Sequence, residues 1–344
     1  MKLTVLNAVP SGFLTTNALD LHEVLPGPTL IHLNGRREQP LFVSILLHGN
    51  EDTGLRAMQQ VLKRYQGREL PRALSLFVGN VEAARAGVRR LEDQPDYNRV
   101  WPGTEHPDTG EAAMMAEVVD IMRALKPFAS IDIHNNTGRN PHYSCVHELT
   151  PQNLTLATLF SRIVVHFTCP RGVQCAAMTP ICPSITVECG KVGAAVGDEH
   201  AAELVSAALN LAAFPEHGPH HGDVDVYHTV ATVKVPPAIS FGFGTPERTL
   251  NLPAELDNSN FVDQNAGAPW GQVKEGVIPF DVTDENGVPV YDQFFSVDNG
   301  QIFLRRAVMP AMLTLVETAV RQDCLCYLME RIELKEKIEP AGQV

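Results

Sequence analysis

The chain has 344 residues, of which 44% are hydrophobic, and it carries a formal net charge of −13. The hydrophobic content supports a proper core and excludes intrinsic disorder, and the length suits one large domain or two ordinary ones. The acidic balance argues against a nucleic-acid binder, which would normally present a basic face, although a locally basic site could still bind an acidic small molecule.

We expect a cytoplasmic protein without a signal peptide or membrane span. The start, MKLTVLNAVPSG, lacks the long apolar stretch and the small-residue cleavage site of a signal peptide. The sequence has no run of about 18 apolar residues, so no membrane span is predicted. The seven cysteines are odd in number and widely spread, which favours reduced thiols. The oligomeric state stays open.

Apolar strands alternate with helices in the first part of the chain. In chain order, the predicted elements are a strand at 41–47, a helix at 52–65, strand 73–78, helix 110–125, strand 128–133, helix 154–162, strand 163–167, strand 184–187 and helix 198–213. Thr109 can cap the helix at 110–125, which Lys126 and Pro127 end. This alternation predicts an α/β fold in which a mainly parallel mixed sheet has helices on both faces.

The pattern changes after Pro215. The stretch PEHGPHHGD is typical of a linker, and short β-rich pieces broken by Pro, Gly and Asn follow it. We therefore predict two domains, an α/β domain over 1–215 and a smaller C-terminal β-rich domain over 216–344. For residues 311–332 the pattern fits either helix or strand.

Polar side chains end four of the predicted strands. These residues are His48, Asn80, His134 and Glu188, and Glu51 follows His48 by three positions. In open α/β sheets, ligands bind in the crevice outside the carboxyl ends of the strands. We therefore expect the two histidines and two glutamates to gather at one edge of the sheet.

This cluster contains the ligands of a metal site. His48, Glu51 and His134 supply the three protein ligands that a hydrolytic zinc site needs beside an open position. Zinc lowers the pKa of water at such a site towards about 7, and a free carboxylate such as Glu188 must then accept the proton. The alternative is that both histidines are ordinary polar strand ends without a metal. The ligand set alone does not select zinc over other divalent metals.

The segment DYNRVWPG at 96–103 offers a substrate contact. Asn98 and Arg99 place an amide beside a planar guanidinium, a pair that suits a substrate carboxylate. The alternative interpretation is a surface loop with a Trp-Pro turn, and the segment by itself favours that alternative.

The residues above lie in short motifs that occur in the order HGNE at 48–51, DYNR at 96–99, DIH at 132–134 and VECG at 187–190. In this order they resemble the zinc carboxypeptidase superfamily, and more narrowly its succinylglutamate desuccinylase/aspartoacylase branch. The resemblance covers residues from about 41 to 215, and that branch also carries a C-terminal β-rich domain. It implies one zinc ion per chain, held by His48, Glu51 and His134.

The resemblance also implies roles for other residues. Glu188 would serve as general base and then as general acid. Asn98 and Arg99 would hold the substrate carboxylate. Asp96 would not bind the metal but would orient His48, and metal-bound histidines usually require such a partner.

The family uses an upstream arginine to polarise the scissile carbonyl, and Arg90 is the closest match. Arg89 and Arg85 remain alternatives, because the segment LEDQPDYNR is one residue longer than the usual pattern. A further arginine of aspartoacylase-type enzymes is replaced here by Met178, and Arg171 is the nearest arginine. The resemblance therefore supports the hydrolytic chemistry more strongly than it supports a particular substrate.

The sequence thus predicts a zinc-dependent hydrolase of an amide bond next to a free carboxylate, most readily an N-acyl amino acid. A metallocarboxypeptidase that acts on short peptides is one alternative. A non-catalytic zinc-binding protein on the same fold is another, which Glu188 disfavours because this residue would have no metal-binding role. The expected partner is a small molecule with a carboxylate, and neither nucleic acid nor a membrane is expected to bind.

Overall fold

The computed structural model describes residues 2–333, so Met1 and the last part of the predicted C-terminal domain, 334–344, lie outside the described residues. The strands are β1 Thr4–Leu6, β2 Thr29–Leu33, β3 Leu41–Ile45, β4 Leu74–Val78, β5 Ala129–Asn136, β6 Tyr143–Val146, β7 Ile163–His166, β8 Ser184–Lys191, β9 Asp225–Lys234, β10 Phe241–Phe243, β11 Leu250–Leu252, β12 Pro269–Val273, β13 Asp281–Thr283, β14 Phe295–Asp298, β15 Gln301–Leu304, β16 Met309–Ala311 and β17 Cys326–Ile332.

The helices are α1 Thr53–Arg64, α2 Val81–Ala86, α3 Gly110–Leu125, α4 Pro151–Thr158, α5 Gln174–Met178, α6 Ala195–Asn210, α7 Tyr291–Phe294 and α8 Glu317–Gln322. Short 3₁₀ helices occur at Leu21–Glu23, His221–Asp223 and Leu256–Ser259. None of the described helices combines the length and the apolar character needed to cross a bilayer. All seven cysteines are free thiols.

A large mixed sheet organises the molecule, with the strand order β1-β2-β4-β3-β5-β8-β6-β7-β9-β17-β16, and β13 pairs with β9 beside this path. The central pairs β4-β3, β3-β5 and β5-β8 are parallel. Strands β2 and β6 run antiparallel to their neighbours β4 and β8. The carboxyl ends of β3, β5 and β8 therefore meet at the same edge of the sheet, as the sequence predicts.

Helices cover both faces of this sheet. Side chains of β3 alternate between two hydrophobic cores, because successive residues of a strand point to opposite faces. Val43 and Ile45 belong to the core that α1 and α6 cover, whereas Phe42 packs in the core that contains Trp101 and the buried side of α3. The predicted α/β class with helices on both faces is thus confirmed.

Local signals set several of these boundaries. The Thr109 side chain accepts a hydrogen bond from the Ala112 amide and caps α3, which ends where Lys126 adopts a φ of 51° before Pro127. Asn80, the polar residue that follows β4, caps α2 by accepting a hydrogen bond from the Ala83 amide.

The chain beyond residue 215 contributes to two sheets. Strands β9, β13, β16 and β17 extend the large sheet, whereas β10-β11-β12-β15-β14 form a smaller one. The region 311–332 contains both α8 and β17, so it is helix and strand in turn. Because β9 pairs with β7, the large sheet continues across residue 215, and the domain division at that position stays a prediction.

Candidate metal centre and substrate cavity

The predicted metal ligands meet at the carboxyl ends of β3 and β5. One ligand atom from each of His48, Glu51 and His134 lies within 4.8 Å of the others, and all three residues are buried. His48 and Glu51 lie in the turn between β3 and α1, and His134 lies on β5 itself. Two imidazoles and one carboxylate match the donor set of a catalytic zinc site with an open position, so these residues fit the ion.

The turn that carries His48 and Glu51 depends on glycine at position 49. A Cβ atom at Gly49 would lie 2.2 Å from the backbone of Ala83 and Ala84 in α2, so a larger residue would push α2 away. The Glu51 amide donates to the His48 carbonyl oxygen at 3.2 Å. This compact turn brings a histidine and a glutamate three positions apart to one point.

Each imidazole is oriented by a carboxylate on the side away from Glu51. The Nδ1 atoms of His48 and His134 both lie 2.8 Å from the Glu51 carboxylate. The Nε2 atom of His48 lies 3.0 Å from Asp96, and that of His134 lies 2.8 Å from Asp132. Such partners fix the tautomer and the ring orientation of metal-bound histidines. The two Nδ1 atoms are therefore the ones directed at the ion position.

The charges in the cluster favour an ionised Glu51. Burial opposes the charged carboxylate, but His48 and His134 outweigh it and hold the pKa of Glu51 below its usual range. The Asn135 amide also donates to Glu51 at 3.1 Å. Burial would lower the pKa of His134, yet Asp132 and Glu51 raise it well above the usual value. A metal ion that binds His134 must then displace a proton.

Glu188 stands beside this cluster without belonging to it. It lies on β8 directly opposite His134 of β5, and it lines the same cavity. Its Oε2 atom is buried and has no hydrogen-bond partner among the described residues. Burial is the main cause that raises the pKa of Glu188 to about 8. A buried carboxyl group with a pKa near neutrality suits proton transfer in both directions.

The structure brings Arg89, and not Arg90, to the cavity. The Arg89 guanidinium lies 2.9 Å from Asp96 and 3.7 Å from Glu51. Arg90 turns away and donates to the Gln94 carbonyl oxygen at 2.9 Å. The structure therefore favours Arg89 over Arg90 for the predicted role, which itself stays a prediction, and Arg85 is exposed on α2.

A backbone contact explains this choice between neighbouring arginines. The Gly49 amide donates to the Arg89 carbonyl oxygen at 3.0 Å, which fixes residue 89 against the His48 turn. The cavity is lined by Arg89 but, among the described residues, not by Arg90 or Arg85. The sequence pattern alone contains no sign of this long-range hydrogen bond.

Asn98 and Arg99 both line the cavity, and their role in binding a substrate carboxylate stays a prediction. The Asn98 side-chain nitrogen lies 3.2 Å from Nε2 of His134. Arg99 donates to both carboxylate oxygens of Asp323 at 3.1 Å, and Asp323 also lies 3.4 Å from Arg89. A substrate carboxylate that binds Arg99 must therefore share the guanidinium with Asp323 or displace Asp323 from it.

Sequence reasoning missed two carboxylates of the site. Asp132 could have been found, because it lies two residues before His134 on the same strand and so points to the same face. Asp323 follows α8 and reaches Arg99 across 224 positions of sequence, and no local motif marks it. Met178, at the position of the expected further arginine, is fully buried in the core with Trp101.

Comparisons with known proteins place this geometry in a family. The succinylglutamate desuccinylase/aspartoacylase catalytic domain matches residues 39–214, whereas no curated protein matches the chain significantly in sequence. The solved succinylglutamate desuccinylase of Chromobacterium violaceum is 15% identical, with a TM-score of 0.59 over 89% of each chain. Murine aminoacylase 3 is also 15% identical, with a TM-score of 0.55 over 86% of this chain and 96% of that one.

A third solved structure, the ectoine utilization protein EutE of Ruegeria pomeroyi, is 13% identical, with a TM-score of 0.52 over 88% of each chain. At these identities the similarity shows the fold, which is of the zinc carboxypeptidase type. The family model itself spans residues 39–214, more than half of the chain. This protein therefore belongs to the succinylglutamate desuccinylase/aspartoacylase catalytic-domain family.

Proposed function

We propose that this protein is a zinc-dependent amidohydrolase that removes the acyl group from an N-acyl amino acid. The observation that carries the proposal is the buried cluster of His48, Glu51 and His134 beside a carboxylate, Glu188, that has an unpartnered oxygen. The family supports hydrolysis, since solved proteins of this fold include a succinylglutamate desuccinylase and an aminoacylase. A cytoplasmic location belongs to the same proposal.

Three residues would bind the ion, and two more would orient its histidine ligands. His48, Glu51 and His134 supply the ligand atoms, while Asp96 and Asp132 keep the two imidazoles in place through their Nε2 atoms. When bound, zinc supplies a Lewis acid for the scissile carbonyl and lowers the pKa of water at the site. One zinc ion per chain is expected.

Glu188 is proposed as the proton carrier. Its carboxylate accepts a proton from the attacking water and returns it to the departing amine. Burial raises the pKa of Glu188, which favours the protonated form that Glu188 must hold between these two transfers.

Two arginines complete the proposed site. Arg89, 3.7 Å from Glu51, is proposed to stabilise the negative charge that develops on the carbonyl oxygen. Arg99, with Asn98 beside it, is proposed to bind the carboxylate next to the scissile amide. A guanidinium suits this task because its donors match both oxygens of a carboxylate.

The first test measures metal content and turnover in the protein and in Glu188→Gln. We expect one zinc per chain by elemental analysis in both, and a loss of kcat of about 10³-fold in the variant, since general acid–base groups contribute on that order. Glu203→Gln on the exposed side of α6 is the matched control and should keep full activity. Loss of metal in Glu188→Gln would show that Glu188 is a ligand rather than a base.

The second test separates the alternatives with a panel of N-acetyl, N-butanoyl and N-succinyl amino acids and short peptides. Hydrolysis of acyl amino acids supports the proposal. If the protein releases a C-terminal residue from peptides and does not hydrolyse acyl amino acids, it is instead a metallocarboxypeptidase. Zinc binding without turnover of either class would indicate a non-catalytic protein.

A further inference from the structure

We infer that the acyl group that this site accepts is uncharged and apolar, in contrast to a dicarboxylic acyl group such as succinyl. The inference rests on the proposed function and concerns the part of the cavity that lies away from Arg99. It follows from the side chains that one face of the large sheet presents beyond Glu188.

This face, which we term the cavity floor, begins at the catalytic strand β8. Glu188 and Thr186 lie two residues apart and point to the same side. On β6, Tyr143 pairs directly with Glu188, and Cys145 pairs with Thr186, so their side chains share that side of the sheet. Cys145 in turn pairs with Val165 of β7. All of these residues line the cavity.

The cavity floor continues onto strands from the C-terminal part of the chain. Val165 pairs with Tyr227 of β9, and Thr229 lies two residues further on the same face. Thr229 pairs with Met329 of β17. Val165, Thr229 and Met329 all line the cavity. The floor is therefore continuous from the proposed base to β17.

Beyond Glu188, the cavity floor offers no charge to a ligand. Its side chains are aliphatic, sulfur-containing or hydroxyl groups, and burial raises the pKa of both Tyr143 and Cys145 well above the usual values, so both stay neutral. Among the described residues that line the cavity, Arg89 and Arg99 are the only permanent cations. Both contact Asp323, and neither lies on the floor.

The amino-acid end of the substrate must then carry a negative charge, whereas the acyl end must be uncharged. The carboxylate next to the scissile amide has Arg99 as its partner, so the acyl group extends over the cavity floor from Glu188. A second carboxylate there would be buried without a cation, which is strongly unfavourable. Methylene groups, in contrast, gain by leaving water. Because neighbouring strands lie about 4.8 Å apart, the floor from β8 to β7 covers about 10 Å, enough for a straight acyl chain of about four to six carbons.

The test compares N-butanoyl and N-succinyl derivatives of the same amino acid. Both acyl groups have four carbons and differ in their terminal charge. We expect kcat/KM for the butanoyl compound to be higher by at least about 100-fold. A smaller ratio would overturn the inference but leave the proposed function intact. Hydrolysis of no acyl compound in the panel would overturn both.

A variant of the cavity floor tests the position of the acyl group. Val165→Lys adds a cation to the floor, and Val165→Met, with a side chain of similar length, is the uncharged control. We expect Val165→Lys to lower the butanoyl-to-succinyl ratio by at least about tenfold, and Val165→Met to leave it within about threefold. An unchanged ratio in folded Val165→Lys would show that the acyl group lies elsewhere. If that variant does not fold, Met329→Lys serves instead, and the ratio of the unaltered protein still decides the charge preference.

Discussion

Asp96 and Asp132 show that the geometry of the proposed metal site depends on side chains outside its ligand set. Each carboxylate holds the outer nitrogen of one imidazole, at 3.0 Å for His48 and 2.8 Å for His134. Asp132 is itself fixed by the Ser44 hydroxyl, which donates to it at 2.6 Å inside the core. Buried hydrogen bonds to residues outside the ligand set therefore fix the geometry of the proposed metal ligands.

The neighbouring arginines allow a matched prediction at this scale. Arg89→Gln should lower kcat by about 100-fold, because it would remove the donor that we propose for the charge on the carbonyl oxygen. Arg90→Gln should keep kcat within about threefold, because the Arg90 guanidinium contacts backbone oxygens of its own loop. Steady-state kinetics on the best acyl amino acid measure both, with zinc content as a check on the cluster. A larger loss at Arg90 would contradict the assignment.

At the scale of elements, contacts between two loops hold Asn98 and Arg99, the pair that we propose to bind the substrate carboxylate. The Trp101 amide donates to the Gly172 carbonyl oxygen at 3.0 Å, and the Gln174 amide donates to the Asn98 side chain at 3.1 Å. Gly172 has a φ of 71°, and a Cβ atom there would lie 2.3 Å from the Arg99 carbonyl oxygen. Close packing of the segment before α5 against the Arg99 loop therefore requires glycine at this position.

A pair of glycine variants tests this contact. Gly172→Ala should raise KM for the carboxylate substrate by about tenfold or more, because the new methyl group displaces the backbone of Arg99. Gly103→Ala is the control, since Gly103 has a φ of 94° with nothing within 4 Å of an added Cβ atom. Both variants should lose about 1 kcal/mol or more of unfolding free energy from backbone strain. Equal KM values in the two variants, both of them folded and unfolding in a cooperative thermal transition, would refute the role of the contact.

At the scale of the whole molecule, the C-terminal part of the chain completes the site. It supplies Asp323, which pairs with Arg99, and it supplies Thr229 and Met329 of the cavity floor. It also pairs β9 with β7 along the large sheet. Residues from both sides of position 215 therefore line the cavity that we propose as the substrate site.

This arrangement predicts that residues 1–215 do not fold well alone. The fragment would leave β7 with an unpaired edge, which promotes association with other chains. We expect it to aggregate in size-exclusion chromatography and to lack the cooperative thermal transition of the full chain. A monodisperse fragment that unfolds cooperatively and binds zinc would instead support an independent domain that ends at residue 215.

The sequence by itself determined the α/β alternation and the cluster at the strand ends. Apolar runs, caps such as Thr109 and the spacing of His48 and Glu51 are local properties that a chain carries wherever it folds. That is why the helices and strands of the first part, and the convergence of His48, Glu51 and His134, agree with expectation. The helices predicted at 154–162 and 198–213 lie three to four residues earlier, at Pro151–Thr158 and Ala195–Asn210, and several strand ends shift by up to about four residues. The short elements β1, β2, β6, α2 and α5 were not predicted.

The tertiary structure alone decided the remaining features. A hydrogen bond from Gly49 selects Arg89 over Arg90, and Asp323 reaches Arg99 from 224 positions away. The cavity floor exists because β6, β7, β9 and β17 pair in a particular register. Contacts of this kind depend on which distant segments pack together, and short-range sequence patterns carry no information about that choice.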